Sequence, residues 1–379
     1  MSYREAHSVL SSDTISPIDI LNRETWKPNR RQVLIDDFCD QRIFNLKILK
    51  NVPYTFARLG NVNAIAVSGD RIVCGGANGC VDVVKLGDCT GNPVSILKND
   101  SLDDRGMIND LQCHHSEHDL LITACANNQI TVSGIQIPER FQSTETMMPP
   151  VQIHWNEVAR RNAMLTYASM ENHASVIDLR FMDIKKSFRK NILAAGDISG
   201  RVVFFDTRSS KGALEWIKAH NRPVSAIKFT SDGTQFVTVD EGRLVKLWTT
   251  KGMKWIRSFQ VKKHSAYEIN LINPTLKISL SDEGDFVHVA IPDTTSVTVV
   301  SFPKNGGEVI QHNLLGHFRK VFSCAFIPGK QQLVSSGADR SVLWWVPESD
   351  RAAAMSTSEG RSVALDDDWS DEDEESTHW

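Results

Sequence analysis

From residue 53 to residue 347 the chain is a succession of short runs of alternating apolar and polar residues, separated by turns containing Gly, Asn or Asp. In Val224–Phe229, Ile227 and Phe229 flank Lys228, the period of two that sends successive side chains to opposite faces of a β-strand. Ser231-Asp232-Gly233 follows as a hairpin signal, and a second apolar run comes after it. Similar runs recur: GGANGCVDVV with Asn78-Gly79 at its turn, LLITACANNQITV, VQIHW, NAMLTYAS, ASVIDL, NILAAGDISGRVVFFD, YEINLI, FVHVA and SVTVV. Before residue 53 the period changes. Ser16-Pro17-Ile18-Asp19 offers an N-cap serine, a proline at the first helical position and an acid in the first turn. Pro28 stops that helix, and Asn29-Arg30-Arg31-Gln32 starts a second, with Leu34/Phe38 and Ile35/Cys39 spaced i, i+4. The pattern therefore predicts a helix-loop-helix over 1–52, strands over 53–347, and a polar tail over 348–379.

An internal repeat lies in the strand region. His220–Trp248 and His317–Trp345 align without a gap, placing Val224 on Val321, Ile227 on Cys324, Phe229 on Phe326, Val237 on Val334 and Trp248 on Trp345. Gly316-His317 opens the last repeat, and Ser335, Asp339 and Trp345 follow. These residues resemble the WD-repeat family, in which each unit is one four-stranded blade of a β-propeller. The resemblance implies a buried structural chain of His317, Ser335, Asp339 and Trp345, and a second of His220, Thr238 and Trp248. A buried aspartate is tolerable only where donors satisfy it, so a structural role is preferred here to a catalytic His/Ser/Asp set. The 295 residues from 53 to 347 amount to about seven repeats of ~42 residues. The expected fold is all-β, a seven-bladed WD-repeat propeller with an N-terminal helix-loop-helix and a disordered acidic tail.

Composition narrows the function. The 41% hydrophobic and 23% charged residues suit a globular chain, and no apolar run is long enough to span a membrane. The first residues lack the layout of a secretory signal, and none of the seven cysteines forms a C-x-x-C pair, so reduced thiols are expected. The net charge of −4 divides into −9 over 348–379 and +5 over the rest, too little for a dedicated, sequence-specific nucleic-acid binder. His114, His115 and His118 near Cys113 and Glu117 fit no zinc spacing, and Gly75–Gly79 lacks the Lys-Ser/Thr ending of a phosphate loop. No catalytic residue, metal or cofactor is expected.

KAHNRPVSAIKFTSDG, LLGHFRKVFSCAF, the blade ending VLWWVP and the finish LDDDWSDEDEE together resemble the Cockayne syndrome group A family. The likeness is strongest in the second half and departs over 134–190. It implies a non-catalytic substrate receptor of a cullin-4 RING ubiquitin ligase, nuclear, acting at stalled RNA polymerase II in transcription-coupled nucleotide excision repair. The implied partners are the ligase adaptor (the larger damaged-DNA-binding protein subunit), cullin-4 and the RING subunit through it, the Cockayne syndrome group B translocase, and the polymerase. The helix-loop-helix resembles the family's adaptor-binding hook, with Arg30, Arg31, Val33, Leu34 and Phe38 on its second helix. The alternative for it is a helical cap on the propeller's own first blade. Phe205-Asp206-Thr207-Arg208 resembles the W-D-x-R element of cullin-4 receptors, which implicates Asp206 and Arg208. In the tail, Trp369 is a candidate partner anchor amid carboxylates, beside Ser370 as a kinase target. The competing reading is a propeller scaffold of chromatin or RNA-processing assemblies without a ligase.

Overall fold

The computed structural model describes residues 28–49, 54–55, 59–85, 94–97, 106–114, 120–135, 140–146, 148–155, 164–169, 174–178, 192–206, 212–262 and 276–350. Over these, antiparallel strands form seven sheets, numbered here as blades in chain order. Blade 1 is Val62–Ser68, Arg71–Gly76, Val81–Lys85 and Val94–Leu97, and blade 2 is Ile108–Cys113, Leu120–Cys125, Gln129–Gly134 and Arg140–Glu145. Blades 3 and 4 have three described strands each: Pro150–Trp155, Met164–Ser169 and Ala174–Asp178, then Ile192–Gly196, Arg201–Asp206 and Ala213–Lys218. Blade 5 is Val224–Phe229, Gln235–Asp240, Leu244–Thr249 and Trp255–Gln260, and blade 6 is Ser279–Ser281, Phe286–Pro292, Ser296–Pro303 and Ile310–Leu315.

Blade 7 closes the ring. It consists of Val321–Ile327, Gln332–Gly337 and Ser341–Pro347, and its outer strand is Leu46–Ile48 from the chain's beginning, with Leu46 opposite Pro347 and Ile48 opposite Trp345. Tyr54–Thr55 pairs the other end of the same strand. Residues 46–48 thus belong to a blade, although the sequence pattern draws the propeller's edge at residue 53. A strand contributed from so far along the chain joins the two ends of the described fold, so closure depends on both.

The hydrophobic core is distributed between blades. Ile72 and Cys74 of blade 1 meet Val334, Val342 and Trp344 of blade 7, while Leu333, Leu343 and Trp345 face Ala290, Val297 and Val299 of blade 6. Adjacent Trp344 and Trp345 point to opposite faces of their strand and serve two different interfaces, which explains the unusual VLWWVP ending. Phe204 of blade 4 meets Phe236 of blade 5 edge-on at 5.7 Å, and Trp248 stacks on Phe236. Because most strands are covered on both faces, their apolar residues run on without alternating, as in Ser296–Pro303, where every residue is buried.

Lys277, at the entry to blade 6, donates to the carbonyls of Asn63 in blade 1 (3.0 Å) and Asn109 in blade 2 and lies 3.6 Å from Asp110 Oδ1. Asp110 Oδ2 in turn accepts the Ile153 amide of blade 3 at 3.0 Å. One lysine thus links four blades. Burial pulls its ammonium down and the Asp110 carboxylate opposes that shift.

Candidate functional site

Among the described residues, one helix, α1 (Pro28–Phe44), precedes the closing strand. Proline in the first turn loses no intrahelical bond there, so the helix includes the residue expected to stop its predecessor. The segment around Ser16, expected as the first helix, lies outside the described residues.

The two ends of α1 meet different surroundings. Toward its end, Cys39, Asp40 and Ile43 are buried, and Phe44 meets Phe286 and His288 edge-on at 5.3 and 5.4 Å. Arg42 grips Asp350 with two bonds of 2.8 and 2.6 Å and also donates to Gln331 Oε1 and the Lys330 carbonyl. The helix therefore rests on blades 6 and 7, not on the first blade. Toward its beginning, Val33 is 59% exposed, while Leu34 and Phe38 are half-buried and the Arg42 guanidinium covers the Phe38 ring at 5.4 Å. The side chains of Arg30 and Arg31 lie outside the described residues, as do Arg208 and Trp369. Asp206 pairs through its backbone with Ile192, and its side chain is likewise outside the description.

Asp40 has a role that sequence pattern did not show. Its Oδ1 accepts from His288 Nε2 at 2.9 Å, its Oδ2 accepts the Asp285 amide at 2.8 Å, and His288 Nδ1 meets Ser301 Oγ at 2.8 Å. A carboxylate only accepts, so Nε2 carries the ring proton and Nδ1 accepts from the Ser301 hydroxyl. Burial pulls the His288 imidazole down, against the raising effect of the Asp40 bond, which fits a neutral ring. The order Ser–His–Asp is that of a hydrolase triad, yet His288 and Ser301 are each 0% exposed, so no substrate reaches the hydroxyl. The arrangement fastens α1 to blade 6. Gly284 leaves room for it: a Cβ there would collide with the Asp40 carboxylate.

Blade 7 builds the same chemistry from other positions. Trp345 Nε1 donates to Ser335 Oγ at 2.8 Å, Ser335 Oγ meets His317 Nε2 at 2.8 Å, and His317 Nδ1 meets Asp339 Oδ2 at 2.8 Å. In blade 5, Trp248 Nε1 donates to Thr238 Oγ1 at 2.9 Å, and Thr238 meets His220 Nε2 at 2.7 Å. There His220 Nδ1 approaches Asp240 at 3.4 Å, a longer and poorly aligned contact.

Burial pushes the thiols of Cys39, Cys113 and Cys324 up to about 12, so they stay protonated and unreactive. Among the described residues, no cluster of three or more His, Cys, Asp or Glu could hold a metal ion, and no helix is long and apolar enough to cross a membrane.

Comparison with known proteins agrees with this architecture. The family described as WD domain, G-beta repeat matches residues 213–249 and 307–345, which span the two chains of bonds in blades 5 and 7. The WD repeat-containing protein ATCSA-1 of Arabidopsis thaliana is 28% identical over 160 residues, 42% of this chain and 32% of that protein. Human striatin-4 is 23% identical over 155 residues, 37% of this chain and 20% of its own length. The chain thus spans a third or less of these curated relatives. Among solved structures, the Cps50 (Swd1) β-propeller domain of Myceliophteria thermophila superimposes with a TM-score of 0.60 at 15% identity, covering 78% of this chain and 99% of that one. The seven sheets and the propeller neighbour give this chain a β-propeller fold, with matched WD repeats in blades 5 and 7.

Proposed function

We propose that this propeller is the substrate receptor of a nuclear cullin-4 RING ubiquitin ligase in transcription-coupled nucleotide excision repair. WD-repeat propellers are in general non-catalytic interaction platforms, so the activity lies in which proteins are brought together. The observation that most supports the reading is α1, fixed at one end to blades 6 and 7 and bearing an exposed Val33 at the other. An exposed apolar side chain on a helix seated against a rigid body can anchor in a groove on a partner, where affinity is concentrated in a few residues. In this reading the partner is the ligase adaptor, which links the chain to cullin-4 and the RING subunit. The propeller and tail meet the Cockayne syndrome group B translocase and RNA polymerase II. The resemblance of the closing repeat and tail to the Cockayne syndrome group A family and the likeness to ATCSA-1 point the same way.

Val33 is the clean probe, because Leu34 and Phe38 are half-buried and truncating them perturbs the helix's own seat. Val33→Asp is expected to weaken adaptor binding by about 2 kcal/mol, roughly thirtyfold, with an unchanged melting curve. Co-precipitation of the adaptor and cullin-4 from native extract reads the effect. Full capture by the variant leaves α1 a cap and puts the adaptor contact elsewhere, whereas no capture by the unaltered chain leaves the protein a scaffold outside the ligase. Cells lacking the protein should be ultraviolet-sensitive, with repair slowed on transcribed strands and normal elsewhere.

A further inference from the structure

The propeller face opposite α1 is bonded into one rim across blades 5, 6 and 7. Arg243 bonds Asp293 Oδ1 at 2.9 Å and the Pro292 carbonyl at 3.0 Å, the Val321 amide donates to the Asp293 carbonyl at 3.0 Å, and the Ala338 amide donates to the Lys320 carbonyl at 2.8 Å. Asp339 turns inward to His317 and accepts the Phe318 amide at 3.1 Å. Asp293 and Asp339 of this rim are thus drawn into bonds below the surface; Asp293 is only 6% exposed.

What points outward is different. Phe318 is 90% exposed, with Arg319 exposed beside it and Arg340 exposed on the neighbouring hairpin. Arg340 holds a left-handed φ of 63°, a conformation that Gly79 and Gly200 fill in the corresponding turns of blades 1 and 4. Half-buried Lys320 and Arg243 stand behind them, and burial together with the Arg243 charge pulls the Lys320 ammonium down. An aromatic ring left in solvent among cations suits a segment rich in carboxylates that also carries an apolar group.

This chain contains such a segment. Leu365–Glu375 reads LDDDWSDEDEE, with eight carboxylates around Trp369. The described chain ends at Asp350, held by Arg42 at the lower edge of blade 7, and Arg340 lies at the other end of the strand Ser341–Pro347. That strand is about 23 Å long at ~3.3 Å per residue. Sixteen positions separate Asp350 from Asp366, and a coil of that length has a root-mean-square span of about 20–24 Å, enough for the climb. We propose that Phe318, Arg319 and Arg340 form a docking surface for the chain's own acidic segment Leu365–Glu375, which covers this face until a competing partner displaces it. The sequence offers Trp369 as a partner anchor; under this proposal its first partner is the molecule's own rim.

The test uses full-length chains and a fluorescent peptide of residues 363–379. A chain with Asp366→Asn, Asp367→Asn, Asp368→Asn and Trp369→Ala should bind the peptide roughly tenfold or more tightly than the unaltered chain, whose own tail competes at about millimolar effective concentration. Adding Phe318→Asp and Arg340→Glu to that chain should weaken peptide binding by about tenfold or more, and raising the ionic strength should weaken it in the tail-substituted chain. Arg319→Glu alone gives the same sign should the double substitution disturb folding. Equal peptide binding by the unaltered and tail-substituted chains overturns the proposal, as does binding that ignores Phe318, Arg319 and Arg340. A single-stranded oligonucleotide that binds the unaltered chain through these residues more tightly than the peptide binds the tail-substituted chain also overturns it.

Discussion

Asp339→Ala is expected to destabilise the propeller by about 3 kcal/mol and to broaden its unfolding beyond one blade. The substitution leaves the His317 Nδ1–H without an acceptor inside the blade and releases the Phe318 and Ser341 amides. A buried donor so stranded costs about 1–3 kcal/mol, and the partly wet amides add a smaller amount. The effect should spread because blade 7 holds the closing strand Leu46–Ile48 and the cores shared with blades 1 and 6. Calorimetric unfolding reads the change, and an unaltered melting curve shows that the bonded chain adds no stability. A pH series adds a second readout. Burial alone raises the Asp339 carboxyl, but the His317 bond and charge and the Ser341 and Phe318 amides outweigh it and hold the group below the usual carboxylate range. The folded value is the lower one, so this stability is complete above about pH 4, the unfolded value, and fades as pH falls further. Asp339→Asn should therefore flatten the acid limb of the stability curve.

Blades 5 and 7 were legible because both retain the histidine, the hydroxyl and the tryptophan at equal spacing, so a gapless alignment brings them together. The other blades could be read only as paired apolar runs. Asp240 is not legible in that alignment, which sets Asp339 opposite Gly242, two residues away, although the blade 5 aspartate comes within 3.4 Å of the same histidine nitrogen from the end of its strand. Leu46–Ile48 is three residues long and follows directly on a helix; what makes it a strand is Trp345 to Pro347, on the far side of the sequence. Lys277 reads locally as a solvent-facing residue of a strand, and only ring closure brings Asn63, Asn109 and Asp110 to its ammonium. Local periodicity therefore revealed the blades, whereas the residues joining them depend on separations that periodicity does not encode. Recruitment was legible only through resemblance, since a docking face is defined by its partner's shape as much as by its own.

Another such separation, the 248 residues between Asp40 and His288, gives the second large effect. Asp40→Ala is expected to destabilise the protein by about 3 kcal/mol, since it strands a fully buried His288 Nε2–H at about 1–3 kcal/mol and frees the Asp285 amide as well. Asp40→Asn should recover part of the loss, because its amide oxygen can accept from one of the two donors while its NH₂ group opposes the other. Gly284→Ala offers an independent route to the same state: the added methyl occupies the carboxylate's place, so Asp40 must withdraw although no donor or acceptor has been removed. Both changes should raise amide exchange and proteolysis in the second half of α1 well before blade 6 opens, because His288 and Ser301 remain bonded within their own sheet. Adaptor capture should fall with them, in proportion to the loosened helix, if α1 acts as a fixed lever. Should Asp40→Ala and Gly284→Ala leave exchange along α1 unchanged, the Asp40–His288 bond is not what seats the helix, and the Arg42–Asp350 pair at its end is the remaining anchor to remove.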